Sequence, residues 1–161
     1  MNHNPAKSHN IVYFNSTNKN KHEEVMAAFG REGTLPELLD FHIDEILPDE
    51  KPGEHLSAEE KLKRLIRAKA AAAYRKARVP LFVEHGGLYL DYLNGLPGPL
   101  AKPFWIQLGG KICSLIPPGH SRKAHSLRMV CYCDGCTRTT LCVKVEGTIA
   151  HEPKGEGGFH W

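Results

Sequence analysis

Residues 83–105 read VEHGGLYLDYLNGLPGPLAKPFW, and the rest of the chain is organised around this stretch. The apolar run at residues 81–83 predicts a strand that ends in Glu84 and His85. The glycine pair at residues 86–87 predicts a turn at which a ligand or a second backbone comes close. Because ligands of open α/β sheets bind beyond the strand ends, this order predicts a binding site with ionisable side chains. An ordinary hairpin with a solvated tip is the competing interpretation.

Length and composition bound the class of protein. The 161 residues carry a formal net charge of +3, with 41% hydrophobic and 24% charged residues. These values predict one soluble globular domain over residues 1–161. No basic block stands out, so the charge suits a small anionic ligand and gives no reason to expect a nucleic acid. No apolar run reaches the length of a membrane span. Residues 1–9 are polar, so we expect a disordered tail and no secretory signal.

The cysteines predict a reduced, cytoplasmic protein, because they are odd in number (five) and no signal peptide is expected. Cys131, Cys133 and Cys136 form a C-x-C-x-x-C pattern, in which the first two share one face of a strand. A zinc site needs a fourth ligand, which Cys142 or His125 could supply. The paired C-x-x-C spacing of zinc sites is missing, however. We therefore favour buried free thiols that pack as small hydrophobic residues.

The first part of the chain predicts an anion site. Residues 11–14, IVYF, are a β-prone run, and residues 21–29 show helical spacing with Asn18 as a suitable N-cap. A polar loop between a strand and a helix exposes backbone N–H groups at the positive end of the helix dipole. Lys21 would add a full positive charge there. The alternative is that these residues only cap the helix.

A second strand and a long helix follow. Residues 38–46 predict the strand, with Glu45 near its end. Residues 57–60, SAEE, match a capping box for the helix, which ends at Val79-Pro80. The apolar stripe of this helix consists of Leu62, Leu65, Ile66, Ala70, Ala73 and Ala77. Lysines and arginines line its remaining surface, which ordinarily indicates a solvated face.

The last third of the chain predicts a short helix and two strands. Residues 104–108 predict the helix, opened by Pro103, and residues 111–126 are loop-like. Residues 127–133 and 139–145 predict two antiparallel strands around a turn at Asp134. Because helices fall between the earlier strands, the pattern predicts an α/β fold with a strand pair added late.

Three separated segments resemble the inosine triphosphate pyrophosphatase family. The loop after the first strand reads STNKNK at residues 16–21, where that family has T-G-N-x-x-K. The central stretch has VEHGGL and then LNGLPGPLAK, where the family has V-E-D-[ST]-x-L and N-A-L-x-G-x-P-G-P-x-x-K. Residues 147–161, GTIAHEPKGEGGFHW, follow the family pattern G-x-I-x-x-P-[RK]-G-x-x-G-F-x-W-D. The order and spacing of the segments agree across nearly the whole chain.

This resemblance implies a fold, a reaction and a cofactor. The fold would be an α/β domain with a central mixed sheet flanked by helices and a cleft between two lobes. The reaction would be hydrolysis of inosine- and xanthosine-type nucleoside triphosphates to the monophosphate and pyrophosphate. Mg²⁺ would be the cofactor, with Mn²⁺ as a substitute, because carboxylates hold a hard cation that bridges phosphate oxygens. Family members commonly pair, so a homodimer is a possible assembly.

The resemblance also implies roles for individual residues. The triphosphate would be held by Ser16, Thr17, Asn18, Lys21, Lys69 and Lys102. Glu45 and Glu84 would bind Mg²⁺, and Phe159 and Trp161 would line the purine pocket. Catalysis would depend on Glu84, His85 and Lys21. Lysines suit this site because several of them together neutralise a polyphosphate.

Two features depart from the family pattern. His85 stands where the family usually has an aspartate that binds metal or activates water. Histidine is a poorer Mg²⁺ ligand but a competent general base near neutral pH, so Glu84 would bind the metal and His85 would act as the base. The alternatives are weakened catalysis, which would leave a nucleotide-binding protein, and a bystander histidine. The sequence also stops at Trp161, before the family's next aspartate and its S-H-R segment, so the C-terminal part is expected to be truncated.

Overall fold

The computed structural model describes residues 11–33, 35–47 and 49–155. The strands of these residues form a single mixed sheet. The strands are β1 (Tyr13–Asn15), β2 (Glu37–Leu39), β3 (Leu81–Leu90), β4 (Pro97–Gly98), β5 (Lys123–Cys133) and β6 (Arg138–Thr148). Their order across the sheet is β2-β1-β3-β5-β6, and β4 pairs with β3 beside this path. β1 is parallel to β2 and β3, whereas the other pairs are antiparallel.

Helices flank this sheet, which confirms the expected α/β class. The α-helices of the described residues are α1 (Lys19–Gly30), α2 (Ala58–Ala77) and α3 (Ala101–Leu108), with short 3-10 helices at Asp91–Leu93 and Gly109–Ser114. The predicted caps of the first two are confirmed. The side chain of Asn18 accepts a hydrogen bond from the backbone N–H of Asn20 (3.0 Å), and that of Ser57 accepts one from Glu60 (3.2 Å). Within the part of the chain described, no helix is both long and apolar enough to cross a bilayer.

The two faces of the sheet pack against different helices. The predicted stripe of α2 is confirmed, and its buried members are Leu62, Leu65, Ile66, Ala70 and Ala73. Leu62, Ile66, Ala70 and Ala73 pack with Val83 and Met129 on one face of the sheet. On the opposite face, the ring of Phe82 stacks on Phe14 (centroids 4.9 Å apart) and on Phe29 of α1 (5.5 Å). Burial of a large apolar side chain such as Val83, Met129 or Phe82 contributes about 1.5–3 kcal/mol, so β3 is fixed from both sides.

The central strand differs from the sequence-based expectation. β3 runs unbroken through residues 86–87, so the predicted strand end at His85 and the predicted glycine turn are wrong. Ten consecutive residue pairs with β5 carry the strand past the glycines. Gly87 still permits a close approach, because an added Cβ would lie 2.8 Å from the ring of Tyr89. The glycine pair therefore makes room within a strand, not at its end.

Other boundaries also differ from the prediction. The strand expected at residues 38–46 is limited to residues 37–39, so Glu45 lies in an irregular segment and not near a strand end. α3 begins before the predicted Pro103, at Ala101. The loop expected at residues 111–126 contains the end of a 3-10 helix and the start of β5. The antiparallel strand pair around Asp134 is confirmed, and both strands are longer than predicted.

Candidate functional site

A cleft opens along one edge of β3. On this edge, β1 pairs with the first two residues of β3, and β4 pairs with Leu88 and Tyr89. Between these pairings, residues 83–87 pair with no described strand on this edge, and a cavity of about 250 Å³ occupies the gap. Because neighbouring side chains of a strand point to opposite faces, Glu84 and His85 stand on the two faces of the sheet beside this cavity.

The loop between β1 and α1 forms one wall of the cleft. The hydroxyl of Ser16 accepts a hydrogen bond from the backbone N–H of Asn18 (3.1 Å). The buried amide of Asn15 donates to the carbonyl oxygen of Phe41 (3.2 Å) and accepts from its N–H (3.3 Å). These bonds fix the loop so that Ser16, Thr17 and Asn18 line the cavity. The N-terminus of α1 thus borders the cleft, where its dipole favours an anion.

Glu84 and Lys21 form an ion pair at the border of the cleft. The ammonium of Lys21 contacts Oε2 of Glu84, and both side chains are largely buried. Among the described residues, Lys21 is the ionic partner of the buried Glu84 carboxylate. A buried carboxylate without hydrogen bonds is costly unless a cation compensates it. Lys21 therefore supplies the positive charge that the buried Glu84 carboxylate needs in the free protein.

A second network joins Glu45, Lys69 and His85 on the other side of β3. The ammonium of Lys69 donates to Oε1 of Glu45 (2.5 Å) and to the backbone oxygen of Glu84 (3.2 Å). The Nδ1 atom of His85 lies 3.2 Å from the same Oε1 of Glu45. The Nε2 atom of His85 lies 3.0 Å from the carbonyl oxygen of Pro99. One buried histidine thus connects β3 with two irregular segments of the cleft wall.

The charges of this network act on the pKa of Glu45. Burial by itself would raise that pKa, but the hydrogen bond and charge of His85, together with Lys69, hold it well below its ordinary value. Glu45 is therefore ionised throughout the neutral and mildly acidic range. An ionised carboxylate that faces a cavity can bind a cation, but its lowered pKa makes it a weak proton acceptor at neutral pH.

Most of the predicted site residues meet in this cleft. Its lining includes Ser16, Thr17, Asn18, Lys21, Glu45, Lys69, His85 and Lys102, and Glu84 contacts it through Lys21. Lys102 comes from the first turn of α3, so the lysines arrive from three separate helices. Phe159 and Trp161 lie outside the described residues, and their predicted contact with a purine stays a prediction.

Several lining residues were not singled out from the sequence. They are Asn15, Phe41, His42, Ile43 and Pro99. Asn15 carries a usable signal, because an amide that directly follows an apolar strand must find partners when it is buried. The backbone oxygens of Phe41 and Pro99 contact Asn15 and His85, respectively. The side-chain types of Phe41 and Pro99 therefore do not indicate a place in the site.

The carboxylates of the cleft fit a divalent cation. Mg²⁺ prefers oxygen ligands and is usually held by one or two carboxylates together with substrate phosphates. Glu84, which is paired with Lys21, and Glu45, which is ionised, each offer one carboxylate to such an ion from the two sides of β3. A site made wholly of protein ligands is not indicated, since the described residues contain no group of three or more His, Cys, Asp or Glu arranged around a metal.

The cysteines form no part of this cleft. Cys131 and Cys133 are free and buried, as expected for small core residues, and burial raises the pKa of the Cys131 thiol. Cys136 and Cys142 are free and exposed. No metal-binding arrangement of these side chains is found in the described ranges.

Comparison with known proteins identifies the family. The sequence profile of the Ham1 family matches residues 12–161. This chain belongs to the Ham1 family. The resemblance to the inosine triphosphate pyrophosphatases is thereby confirmed, and so is the central mixed sheet flanked by helices.

Relatives of this Ham1 chain include archaeal and trypanosomal proteins. It is 29% identical over 150 residues to the dITP/XTP pyrophosphatase of Methanopyrus kandleri, a match that covers 92% of this chain and 74% of the relative. It is 30% identical over 142 residues to the dITP/XTP pyrophosphatase of Methanosarcina mazei, covering 84% and 76%. It is 34% identical over 100 residues to inosine triphosphate pyrophosphatase 1 of Trypanosoma cruzi, covering 59% and 50%.

Solved structures share the Ham1 fold. A HAM1 protein from Coxiella burnetii superposes with a TM-score of 0.63 at 19% identity, covering 92% of this chain and 77% of that one. A dITP/XTP pyrophosphatase from Mycobacterium abscessus gives a TM-score of 0.62 at 20% identity, with the same coverage of 92% and 77%. At these identities the likeness establishes the fold.

Proposed function

We propose that this Ham1 protein hydrolyses inosine- and xanthosine-type purine nucleoside triphosphates to the monophosphate and pyrophosphate. The observation that carries the proposal is the convergence of Lys21, Lys69 and Lys102 on one cleft beside the N-terminus of α1. Three ammonium groups on separate elements suit a polyphosphate, because they neutralise its charge at several points. The names of the relatives, pyrophosphatases of dITP, XTP and inosine triphosphate, support the same substrate class.

Mg²⁺ is the proposed cofactor, with Glu84 on one side of β3 or Glu45 on the other as its carboxylate ligand, and Mn²⁺ as a substitute. When bound, the ion neutralises charge on the phosphate oxygens of the substrate. The lysines that contact these carboxylates in the free protein, Lys21 and Lys69, would then exchange carboxylate partners for phosphate oxygens. Such an exchange keeps each ammonium paired before and after binding, so no buried charge is left uncompensated.

The proposed reaction is attack of water on the phosphorus next to the nucleoside. The new bond joins the water oxygen to that phosphorus, and the bond to the departing pyrophosphate breaks. Lys21, Lys69 and Lys102 stabilise the negative charge that accumulates on the leaving group. Ser16, Thr17 and Asn18, with the N-terminus of α1, hold the polyphosphate in place. Phe159 and Trp161 remain the proposed contacts to the purine.

His85 is proposed to position the site, in place of the general-base role expected from the sequence. The carbonyl oxygen of Pro99 can only accept a hydrogen bond, so Nε2 carries the proton that it donates. Nδ1 faces a carboxylate oxygen of Glu45, which also accepts. In this arrangement both nitrogens are paired with atoms of the protein. The geometry supports a histidine that holds Glu45 and the Pro99 segment on either side of the cleft.

Nucleotide binding with weak or no hydrolysis is the second candidate function. The engagement of both nitrogens of His85 favours it, because the proton of the attacking water then needs another acceptor. Glu45 lines the cavity, but its carboxylate is a weak base because its pKa is held well below the ordinary value, so it can replace the histidine only poorly. The two candidates therefore differ in whether Glu45 can replace the missing base.

Binding and turnover measured on the same protein separate these candidates. Pyrophosphate release would be followed for inosine, xanthosine, adenosine and guanosine triphosphates with Mg²⁺ or Mn²⁺, and calorimetric titrations would run in parallel. The hydrolase predicts release from the inosine and xanthosine forms well above that from the adenosine form. Tight binding without release supports the binding protein, whereas neither binding nor release contradicts both. The homodimer and the cytoplasmic location stay predictions, and gel filtration tests the former.

A further inference from the structure

Tyr89 fills a space beside the cleft with an aromatic ring. Its side chain is buried, and the ring stacks on His125 at a centroid distance of 5.0 Å and an interplanar angle of 5°. The ring also covers Gly87, because an added Cβ on this glycine would lie 2.8 Å from Cε2 of the tyrosine. The same Cβ would lie 3.0 Å from the backbone oxygen of Gly98 in β4. The ring and β4 therefore meet above a position of β3 that has no room for a side chain.

Further contacts join this ring to the turn before α3. An added Cβ on Gly98 would lie 3.4 Å from Cε1 of Tyr89, and one on Gly95 would lie 3.8 Å from Cδ1. Both glycines have positive φ angles, +58° for Gly98 and +89° for Gly95, so the chain bends closely around the ring. β4 pairs with β3 at two positions, Leu88 with Gly98 and Tyr89 with Pro97. The ring thus supplies a packing surface that so short a ladder lacks.

The residues after β4 carry two groups of the candidate site. Pro99 follows β4 directly, and its carbonyl oxygen lies 3.0 Å from Nε2 of His85. The N–H of Leu100 donates to the carbonyl oxygen of Pro97 (3.1 Å), which turns the chain into α3. Lys102 follows in the first turn of that helix and lines the cavity. A shift of β4 on β3 therefore moves both the partner of His85 and a proposed phosphate-binding lysine.

The hydroxyl of Tyr89 takes no part in these contacts. It is buried and has no hydrogen-bond partner among the described residues. Burial raises the pKa of Tyr89 to about 12, so the hydroxyl stays neutral. Because a buried hydroxyl without a partner lowers stability, the favourable packing comes from the ring. Phenylalanine should therefore replace this tyrosine without loss.

We propose that Tyr89 is a positioning residue for the phosphate-binding side of the cleft. Its ring holds the segment from Pro97 to Lys102 against β3, so that the Pro99 carbonyl meets His85 and Lys102 lines the cavity. The identity of the ligand rests on the proposed function. Because misplacing a binding group by about 1 Å can cost about 10²-fold, loss of the ring weakens polyphosphate binding through Lys102.

The first measurement needs no ligand. The Nε2–H proton of His85 is followed by NMR in protein labelled with ¹⁵N-histidine, and the spectrum of His85→Gln assigns it. Tyr89→Leu and Gly87→Ala should lose the protection of this proton from exchange, because the first removes the ring and the second drives it away from β4. Tyr89→Phe should keep the protection. The control Tyr132→Leu, which removes a partly buried ring from β5, should keep it too.

The second measurement is a titration with inorganic tripolyphosphate and Mg²⁺. The Kd should rise at least about tenfold in Tyr89→Leu and in Gly87→Ala, and stay within about twofold in Tyr89→Phe and Tyr132→Leu. Tyr89→Leu is then combined with Lys102→Gln. Since the ring acts through Lys102, adding Tyr89→Leu should change the Kd of the Lys102→Gln protein by less than about twofold.

Several results would overturn the proposal. An unchanged His85 signal and Kd in folded Tyr89→Leu means that the ring positions nothing. Equal losses from Tyr89→Leu with and without Lys102→Gln mean a general structural role, and so does unfolding of both Tyr89→Leu and Gly87→Ala in circular dichroism. If one of these two variants unfolds, the other carries the comparison.

Two further outcomes bear on the contacts themselves. Weakened binding by Tyr89→Phe would move the role from the ring to the hydroxyl, and a wild-type protein without a protected His85 proton would remove the bond to Pro99; either result contradicts the proposal. A wild type that binds no tripolyphosphate contradicts the proposed function, while the His85 signal still decides whether Tyr89 positions the segment after β4.

Discussion

Replacing Lys69 with glutamine removes an ammonium from the centre of the cleft. In the free protein this group donates to Glu45 (2.5 Å) and to the backbone oxygen of Glu84 (3.2 Å), and the side chain is 12% exposed. Glutamine keeps a hydrogen-bond donor but loses the charge. We expect kcat/KM for inosine triphosphate to fall while the fold is retained.

The size of the effect follows from the type of contact that is lost. A hydrogen bond between a charged donor and a charged acceptor contributes about 1.5–3 kcal/mol, which is about 10- to 150-fold in kcat/KM. The effect on stability is much smaller, because the Glu45 partner is 38% exposed and water screens the pair. An exposed ion pair contributes about 0–1 kcal/mol to the free energy of unfolding.

Steady-state pyrophosphate release and thermal unfolding would be measured for Lys69→Gln beside Lys63→Gln. Lys63 lies on the same helix, its side chain is 47% exposed, and its ammonium is 3.8 Å from Glu60. The control should keep kcat/KM within about twofold of the wild type, because it loses only a surface charge. A folded Lys69→Gln protein with wild-type kcat/KM would refute the placement of Lys69 on the substrate.

Three further predictions concern the same cleft. Lys21→Ala should raise KM for inosine triphosphate or abolish turnover without unfolding the protein, and unchanged steady-state kinetics would remove Lys21 from the site. His85→Asp should lower kcat/KM, because aspartate cannot donate to the Pro99 oxygen; an increase would instead favour a metal-ligand role for this position. Since the pKa of Glu45 lies below its ordinary 4.5 in the folded protein, its contribution to stability is complete above that value and is lost as the pH falls through the folded pKa. The difference in Tm between wild type and Glu45→Gln should therefore shrink as the pH falls below about 4.5.

Local signals predicted the helices and the strand pair well. The capping serine and the apolar stripe of α2 lie within one continuous segment, so the sequence contains all that is needed to recognise this helix. The strand at residues 38–46 was overestimated because strands depend on partners that are distant in sequence. Three residues of β1 pair with β2. Beyond them, the side-chain amide of Asn15 binds the backbone of Phe41 where a further hydrogen bond between the strands would otherwise form.

The cleft could be predicted in part, for similar reasons. The lysines and carboxylates have ionisable side chains that stand in recognisable motifs, and eight of the predicted residues meet along one cavity. Their arrangement could not be predicted, because β3 continues through Gly86 only when β5 pairs with it. The engagement of both nitrogens of His85 also depends on the oxygen of Pro99, which belongs to a segment placed by tertiary packing.

The central claim is that the lysine-lined cleft beside β3 directs cleavage next to the nucleoside. Phosphorus NMR of inosine triphosphate mixed with the protein and Mg²⁺ tests this claim most directly. The account predicts that monophosphate and pyrophosphate signals grow in equal amounts, without orthophosphate. Orthophosphate accompanied by the diphosphate, or an unchanged triphosphate spectrum under conditions in which the nucleotide binds, would contradict it.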